Sequence, residues 1–264
     1  MERLSVNTLA AAYAQILGIA PLSISAPANP YLCGMAHDAF RGKSADRLFL
    51  YNPDAIGAWV VDKYARFMRE VIERCSLRLP LSTVMPSVTP VCFATIYTGA
   101  QPEVHGIKKY EKPVLSVPTL FDAAIEAGKR PVIVSTTGNS MSKIFLERNM
   151  DYFIFDTNEE VNAKAAELIV KDEYDLYAVY NGNYDKVMHK TGPESPEALA
   201  ELRLNSHAFA TFDSMISSLW KSHRTVVGFA MDHGCHEIDG GCGSHGLDMP
   251  EDIEIDHFYT ARGE

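Results

Sequence analysis

Short apolar runs alternate with longer amphipathic stretches along the chain. The runs are apolar at successive positions rather than at every second one, which is typical of strands covered on both faces. The predicted strands are Arg47–Tyr51, Leu79–Val84, Pro131–Ser135, Tyr152–Phe155, Leu176–Tyr180 and Thr225–Met231. The predicted helices are Ala55–Arg74, Thr89–Tyr97, Thr119–Ala127, Glu159–Val170 and Pro196–Trp220. This alternation predicts a doubly wound α/β fold, in which a mostly parallel sheet carries helices on both faces.

The N-terminal segment has an unusual distribution of charge. Residues 4–37 include no Asp, Glu, Lys or Arg, and we expect a short amphipathic helix there. Capping residues near its start, Ser5 or Asn7, and Gly18 at its end set the limits of this helix. The alternative is a secretory leader with an Ala-Pro-Ala cleavage motif at residues 26–28.

The composition is that of a soluble globular protein, with 47% hydrophobic and 22% charged residues. It excludes disorder and coiled coil as the main organisation. No internal repeat or linker is visible, so the sequence indicates a single domain over residues 1–264. Asp252–Tyr259 is predicted to add an edge strand to its sheet.

The net charge and the cysteine content limit the ligands and the cellular compartment that the sequence predicts. With 24 Lys+Arg against 34 Asp+Glu the net charge is −10, which argues against a nucleic-acid groove but not against a local site for a phosphate ester. The chain has five cysteines, an odd number, and no CxxC pair. This pattern favours a reducing compartment, so we expect a cytoplasmic protein. No apolar run reaches 18 residues, so we expect no membrane span.

Polar residues follow four of the predicted strands, at the edge where parallel sheets bind ligands. Counting His245, which follows in a glycine-rich loop, seven such residues are candidates: Asp54, Thr89, Asp185, His189, Asp232, His233 and His245. Carboxylates, imidazoles and a hydroxyl are ligands for divalent metal ions, and seven donors exceed one tetrahedral site and suit two. Asn139, which follows the strand Pro131–Ser135, is a further polar candidate.

Several of these residues also have an ordinary structural interpretation. Thr89 before Pro90 is a good helix cap, although a hydroxyl at a helix N-terminus could also attack a bound phosphoryl group. The spacing Asp185-x3-His189 places both side chains on one helical face, but such a spacing is expected about once in two chains of this composition by chance. His236 is a rival metal ligand near His233.

A structural zinc site is a separate hypothesis for the same region. Cys235 and Cys242 flank the histidines, although their spacing matches no zinc-finger pattern. Gly234, directly after Asp232 and His233, allows the chain to leave the sheet there, so that both side chains can face one site.

Taken together, the motifs resemble the alkaline phosphatase superfamily, in particular its nucleotide pyrophosphatase/phosphodiesterase branch of type I phosphodiesterases. Residues 85–107, MPSVTPVCFATIYTGAQPEVHGI, are similar to the nucleophile segment of that branch. Residues 185–193 (DKVMHKTGP), 230–234 (AMDHG) and 243–246 (GSHG) resemble its metal-binding motifs, in the same order along the chain. The resemblance spans residues 47–246.

The resemblance implies a metal-dependent hydrolase of phosphoric esters, either phosphodiesters and pyrophosphates or phosphomonoesters. Thr89 would be the nucleophile, beside one ion on Asp54, Asp232 and His233 and near a second ion on Asp185, His189 and His245. Zinc is the metal that the family implies, and manganese or iron suits the same ligands. Cys92, three residues after Thr89, stands where the family often has a substrate-binding Asn, and Asn139 is the second candidate for a substrate contact.

The chain also departs from the family pattern. The first metal-binding Asp is followed by Ala55 rather than Gly, and Lys108 and Lys109 stand where a phosphate-binding Asn is usual. Only 12 positions separate His233 from His245, which indicates a minimal cap. A phosphonate hydrolase or a phosphomutase-like enzyme is therefore the alternative. A metal-free, non-catalytic binding module, with Thr89 as a cap and Asp54 on the surface, is the alternative from another class.

Overall fold

The computed structural model describes residues 1–263, which are organised around an eight-stranded sheet. The strand order is β1-β3-β10-β7-β2-β6-β4-β5, and a separate hairpin pairs β8 with β9. The strands are β1 (Leu4–Ser5), β2 (Arg47–Pro53), β3 (Leu77–Ser82), β4 (Pro131–Thr136), β5 (Asp151–Phe155), β6 (Leu176–Asn181), β7 (Thr225–Phe229), β8 (His236–Ile238), β9 (Cys242–Ser244) and β10 (Glu254–Arg262). Within the large sheet β10 runs antiparallel to both of its neighbours, and the other pairs are parallel. The prediction of a mostly parallel sheet is confirmed.

Helices cover both faces of this sheet, as the alternation predicts. They are α1 (Leu9–Leu17), α2 (Pro30–Phe40), α3 (Ala58–Lys63), α4 (Arg69–Arg74), α5 (Thr89–Thr98), α6 (Pro102–His105), α7 (Leu120–Glu126), α8 (Met141–Ile144), α9 (Asn158–Lys171), α10 (Asn183–Thr191), α11 (Pro196–Leu219) and α12 (Pro250–Ile253). None of the helices within residues 1–263 combines the length and apolarity needed to cross a membrane.

Side-chain alternation along the strands builds two separate cores. In β2, Leu48 and Leu50 enter the core beneath α1, α5 and α7, whereas Phe49 and Tyr51 enter the core beneath α9 and α11. All four side chains are buried, which explains why the strand is continuously apolar in sequence. Because β2, β4, β6 and β7 run parallel, their carboxyl ends form one edge of the sheet.

The prediction of an edge strand at residues 252–259 is wrong about the position of that strand in the sheet. It forms β10, which lies inside the sheet between β3 and β7. Its polar residues are buried with partners: Asp256 accepts hydrogen bonds from Arg78, and His257 bonds to Tyr259 and to the carbonyl of Met231. Buried polar groups that are hydrogen-bonded are compatible with an interior strand.

Two predicted helices also differ from the structure. The helix predicted over Ala55–Arg74 is split into α3 and α4, and it begins late because Ala55 has a left-handed backbone with φ of 63°. The N-terminal helix, α1, ends at Gly18 as expected, preceded by a 3-10 turn that Ser5 caps. It is not amphipathic, since all of its residues except Gln15 are buried beneath neighbouring helices.

The chain can leave the sheet at Gly234 because glycine has no side chain that would collide there. The backbone at Gly234 does not need a positive φ angle. A Cβ atom at this position would collide with the carbonyl oxygen of Glu251 and lie 3.0 Å from the Cα of Gly57. The backbone N–H of Gly234 also donates to the carbonyl of Asp252. This close approach fixes the segment that follows Asp232 and His233.

We expect Gly234→Ala to lower the free energy of unfolding by about 2 kcal/mol or more, because the backbone of residue 251 would have to move. Gly34→Ala is the matched control: Gly34 lies inside α2 with open space around it, and alanine should stabilise the helix by about 1 kcal/mol. Urea unfolding monitored by circular dichroism measures both effects. Equal effects of the two substitutions would contradict the close contact at Gly234.

Candidate metal centre

The carboxyl edge of the sheet brings the predicted ligands together in two adjacent clusters. Asp54 follows β2, Asp232 and His233 follow β7, and Asp185 lies in the first turn of α10 after β6. Each cluster offers three ligand atoms that all lie within 4.8 Å of one another. The grouping is the one that the resemblance implies: Asp54, Asp232 and His233 in one cluster, and Asp185, His189 and His245 in the other.

The first cluster is closed off from solvent. Nε2 of His233 lies 3.4 Å from Oδ1 of Asp54 and 3.3 Å from Oδ2 of Asp232. All three side chains are buried, at 2% relative exposure or less. The second cluster is more open: Oδ1 of Asp185 lies 3.1 Å from Nε2 of His189, whose side chain is 41% exposed, and 3.4 Å from Nε2 of His245. Access from solvent is therefore on the side of the second cluster.

All three histidines are oriented by backbone carbonyls. Nδ1 lies 2.9 Å from the Gly234 carbonyl in His233, 2.9 Å from the Gly243 carbonyl in His189, and 3.0 Å from the Ser87 carbonyl in His245. A carbonyl can only accept, so Nδ1 carries the proton in each neutral ring and Nε2 keeps its lone pair. Such a contact is the usual support of a metal-binding histidine. It leaves the three Nε2 atoms facing the carboxylates as ligands.

The carboxylate oxygens also fit a bound cation. Oδ1 of Asp185 and Oδ2 of Asp232 are buried, and neither receives a hydrogen bond within residues 1–263. Without a cation, burial raises the pKa of Asp232 to about 8. Burial, together with the nearby charges of Asp232 and Asp185, raises the pKa of Asp54 well above its usual range. Asp54 and Asp232 therefore need compensating positive charge to be ionised, and divalent ions would supply it.

Thr89 lies within the first cluster. Its Oγ1 is 3.2 Å from Nε2 of His233 and 3.4 to 3.5 Å from the two oxygens of Asp54. Thr89 is the first residue of α5, its side chain makes no capping hydrogen bond, and the N-cap is Val88. Asp54 is buried rather than on the surface. The hypothesis of a non-catalytic module expected Thr89 to cap the helix and Asp54 to lie on the surface. Both expectations are wrong.

Ala55 replaces the glycine of the family motif without loss of the turn. Its φ of 63° is in the left-handed region that glycine adopts easily. In this conformation the N–H of Ala55 donates to Oδ1 of Asp232 over 3.1 Å. The turn therefore holds Asp54 and Asp232 in one cluster despite the missing glycine.

Tyr180 is a residue of this site that the sequence analysis missed. Its hydroxyl donates a hydrogen bond to Oδ2 of Asp54, and the ring packs against Gly182. The residue is the last of the predicted strand Leu176–Tyr180, whereas the predicted ligands all come after strand ends. A tyrosine closing an apolar strand at the ligand-binding edge was the available signal.

We expect Tyr180→Phe to weaken metal binding at the first cluster about tenfold, because loss of a hydrogen bond that orients a ligand has effects of that size. Zinc titration against a competing chelator measures the affinity. Tyr177→Phe is the control, since Tyr177 is buried in the same strand but faces the other core. An unchanged affinity in Tyr180→Phe would show that Tyr180 does not position Asp54.

The other metal-binding hypotheses do not match the geometry. His236 pairs with Asp252 over 2.7 Å instead of joining either cluster. The Cys235 thiol lies against the Tyr184 hydroxyl, and the Cys242 thiol faces the carbonyl of Lys190. Within residues 1–263 neither cysteine is part of a group that could hold a metal ion.

The two candidate substrate contacts occupy different surroundings. Cys92 is buried in the core on α5, with its thiol facing the Val84 carbonyl. Asn139 hydrogen-bonds locally to Ser135 and Thr136, and it also lines a cleft of about 430 Å³ that begins at Asp185. Substrate contact by these two residues stays a prediction.

Comparison with solved structures identifies the class of fold. The chain superimposes on the phosphonoacetate hydrolase from Sinorhizobium meliloti 1021 in complex with phosphonoformate, with a TM-score of 0.56 and 21% identity over 75% of this chain; it spans 59% of that protein's length. Murine ectonucleotide pyrophosphatase/phosphodiesterase 5 gives a TM-score of 0.63 and 14% identity, with 83% of this chain and 88% of that chain covered. Its inactive variant in complex with AMP gives 0.64 with the same identity and coverage. The chain thus has the alkaline phosphatase-like α/β fold.

Within that class the sequence comparison is more specific. The family model for type I phosphodiesterase / nucleotide pyrophosphatase matches residues 50–121, the segment that includes Asp54 and Thr89. This match confirms the resemblance drawn from the motifs. No curated protein matches the chain significantly.

Proposed function

We propose that the chain is a metal-dependent hydrolase of phosphoric esters with Thr89 as its nucleophile. The ligands of its two divalent ions are the two clusters: Asp54, Asp232 and His233, and Asp185, His189 and His245. One observation carries this proposal. The hydroxyl of Thr89 lies 3.2 Å from Nε2 of His233, in a buried cluster where Oδ2 of Asp232 receives no hydrogen bond within residues 1–263.

The reaction that fits this arrangement has two steps. Bound divalent ions supply positive charge that neutralises the phosphoryl group and lowers the pKa of a hydroxyl or of water. Oγ1 of Thr89 gives up its proton and forms a bond to phosphorus while the bond to the leaving oxygen breaks, and that oxygen takes up one proton and departs as the alcohol. Water then cleaves the phosphothreonine and restores the hydroxyl. The positive end of the α5 dipole favours the negative charge beside Thr89.

Phosphodiesters and pyrophosphates are the first substrates to test, because the family match covers the nucleophile segment. Phosphomonoesters follow. Phosphonate hydrolysis is the second candidate, favoured by the shared fold and the 21% identity with a phosphonoacetate hydrolase. Lys108 and Lys109 in place of the usual Asn keep this alternative open.

A hydrolysis panel tests the proposal. The metal-stripped protein is loaded with zinc or manganese and given p-nitrophenyl phosphate, bis(p-nitrophenyl) phosphate, p-nitrophenyl thymidine 5′-monophosphate and phosphonoacetate. We expect turnover of at least one phosphoric ester that depends on added metal and stops with chelator. Cleavage of phosphonoacetate alone would favour the second candidate, and no turnover with either metal would contradict both.

Zinc is the ion we propose, since carboxylate and imidazole ligands suit it; manganese and iron accept the same set. The substrate is a small phosphate ester. The single domain over residues 1–264 and the cytoplasmic location expected from the cysteines are part of the proposal.

A further inference from the structure

The carboxylate of Asp252, in α12, lies where two loop segments meet. The residue is fully buried. Its Oδ1 is 2.7 Å from Nδ1 of His236, and its Oδ2 accepts a hydrogen bond of 2.8 Å from the backbone N–H of Leu247. Its backbone carbonyl accepts a further hydrogen bond of 2.8 Å from the N–H of Gly234. Asp252 therefore joins the segment around residues 234–236 to the segment around residue 247.

Each of these segments carries a histidine of the metal centre. Gly234 directly follows His233, a residue of the first cluster, and His236 comes two residues later. Leu247 comes two residues after His245, a residue of the second cluster. One carboxylate thus links the two loops that bring a histidine to each cluster.

The surroundings of α12 hold this carboxylate in place. The carbonyl of Ile253 accepts a hydrogen bond of 2.9 Å from the backbone N–H of Thr83, which follows β3. The hydroxyl of the same threonine donates to the carbonyl of Asp232 over 2.7 Å. The segments after β3 and β7 are therefore fixed against α12, so that a change at Asp252 would be transmitted to the metal ligands.

Stability alone is a poor explanation for a carboxylate at this buried position. Burying a polar group costs free energy, and replacing a buried hydrogen-bonded pair by apolar groups of the same shape can be neutral or stabilising. A carboxylate offers two acceptor oxygens, and Asp252 uses one for each segment. An apolar side chain could fill the space but could not fix the two loops relative to each other.

We propose that Asp252 positions the ligands of both metal clusters. Through the N–H of Leu247 it acts on His245 and the second cluster. Through His236 it acts on His233 and the first cluster. The inference rests on the proposed function and deepens it, because it concerns the residues that support the same two ions.

Zinc titration of the full chain against a competing chelator tests the proposal, with the imidazole NMR signals of His233 and His245 reporting the two clusters separately. We expect Asp252→Ala to raise the Kd for zinc about tenfold at both clusters, the effect of losing a residue that orients a ligand. His236→Ala should raise it at the first cluster only. His236→Asn should restore the affinity, because its amide can donate to Asp252 in place of Nδ1.

Asp213→Ala is the matched control. Asp213 is also buried, and it accepts hydrogen bonds from Arg74 and Arg262 near the start of β7, at the opposite end of that strand from the metal centre. Its loss should lower the stability of the metal-free protein, measured by urea unfolding, without changing either Kd for zinc.

Unchanged zinc affinity in both Asp252→Ala and His236→Ala would overturn the proposal and leave the hydrolase intact. An equal loss of affinity in Asp213→Ala would also overturn it, because the effect would then be one of general stability. If Asp252→Ala does not fold, the two variants of His236 decide the question by themselves. A wild-type protein that binds no zinc at either cluster would overturn the proposed function itself.

Discussion

Replacing Thr89 by alanine is expected to slow ester hydrolysis by a factor on the order of 10⁶, the scale seen when a nucleophile is removed. The protein should still bind two ions per chain, because the six carboxylate and imidazole ligands remain. The physical reason is the position of Oγ1, 3.2 Å from His233 and beside Asp54 at the start of α5. Steady-state kinetics with bis(p-nitrophenyl) phosphate and metal analysis of the same sample measure both quantities.

Two further variants make this result specific. Thr89→Ser keeps a hydroxyl at the same place and should retain most of the activity. Thr95→Val, on the same helix, removes a buried hydroxyl that contacts His105 rather than the metal centre, and it should not reproduce the loss seen at Thr89. Activity in Thr89→Ala close to that of the wild type would contradict the nucleophile assignment, whatever the metal content.

The second large effect is expected from Asp185→Asn. The amide has the same shape but lacks the charge that faces His189 and His245, so the open cluster should lose its ion. We expect metal content to fall from two ions to one per chain and hydrolysis to fall by at least about 100-fold, since even a change in a residue that only orients a ligand costs 10- to 100-fold. Native mass spectrometry counts the ions.

Asp239→Asn provides the control for Asp185→Asn. Asp239 is exposed in the hairpin that connects β8 and β9, and the same change of charge there should alter neither the ion count nor the rate. If Asp185→Asn keeps two ions and full activity, the second cluster is not a metal site. If the ion count falls but the activity does not, only one ion takes part in the reaction.

The architecture could be predicted because both faces of the sheet are covered. Strands such as β2 send alternate residues into two cores, and their unbroken apolar character marks them in the sequence. The interior position of β10 could not be predicted from an apolar run, because its polar residues Asp256 and His257 are buried with partners that are distant in sequence. Local pattern does not reveal whether a polar residue will find such a partner.

The candidate metal ligands could be found because they follow strands at one edge of the sheet and recur in short motifs. What the sequence did not reveal is the support around them. Ala55 takes the backbone conformation of a glycine, and Tyr180 reaches Asp54 from within a strand. The carbonyls that orient the three histidines belong to Ser87 and Gly234 in loops and to Gly243 in β9, segments whose path depends on the whole fold. The turn at Ala55 and the carbonyl contacts are tertiary and have no local signature, whereas Tyr180 could have been found from its place at the end of an apolar strand.

Anomalous diffraction from crystals of the zinc-loaded protein, recorded on both sides of the zinc absorption edge, tests the account most directly. The account predicts two peaks per chain, one among Asp54, Asp232 and His233 and the other among Asp185, His189 and His245, with Thr89 next to the first. No peak at these side chains, or a single peak at Cys235 and Cys242, would contradict it.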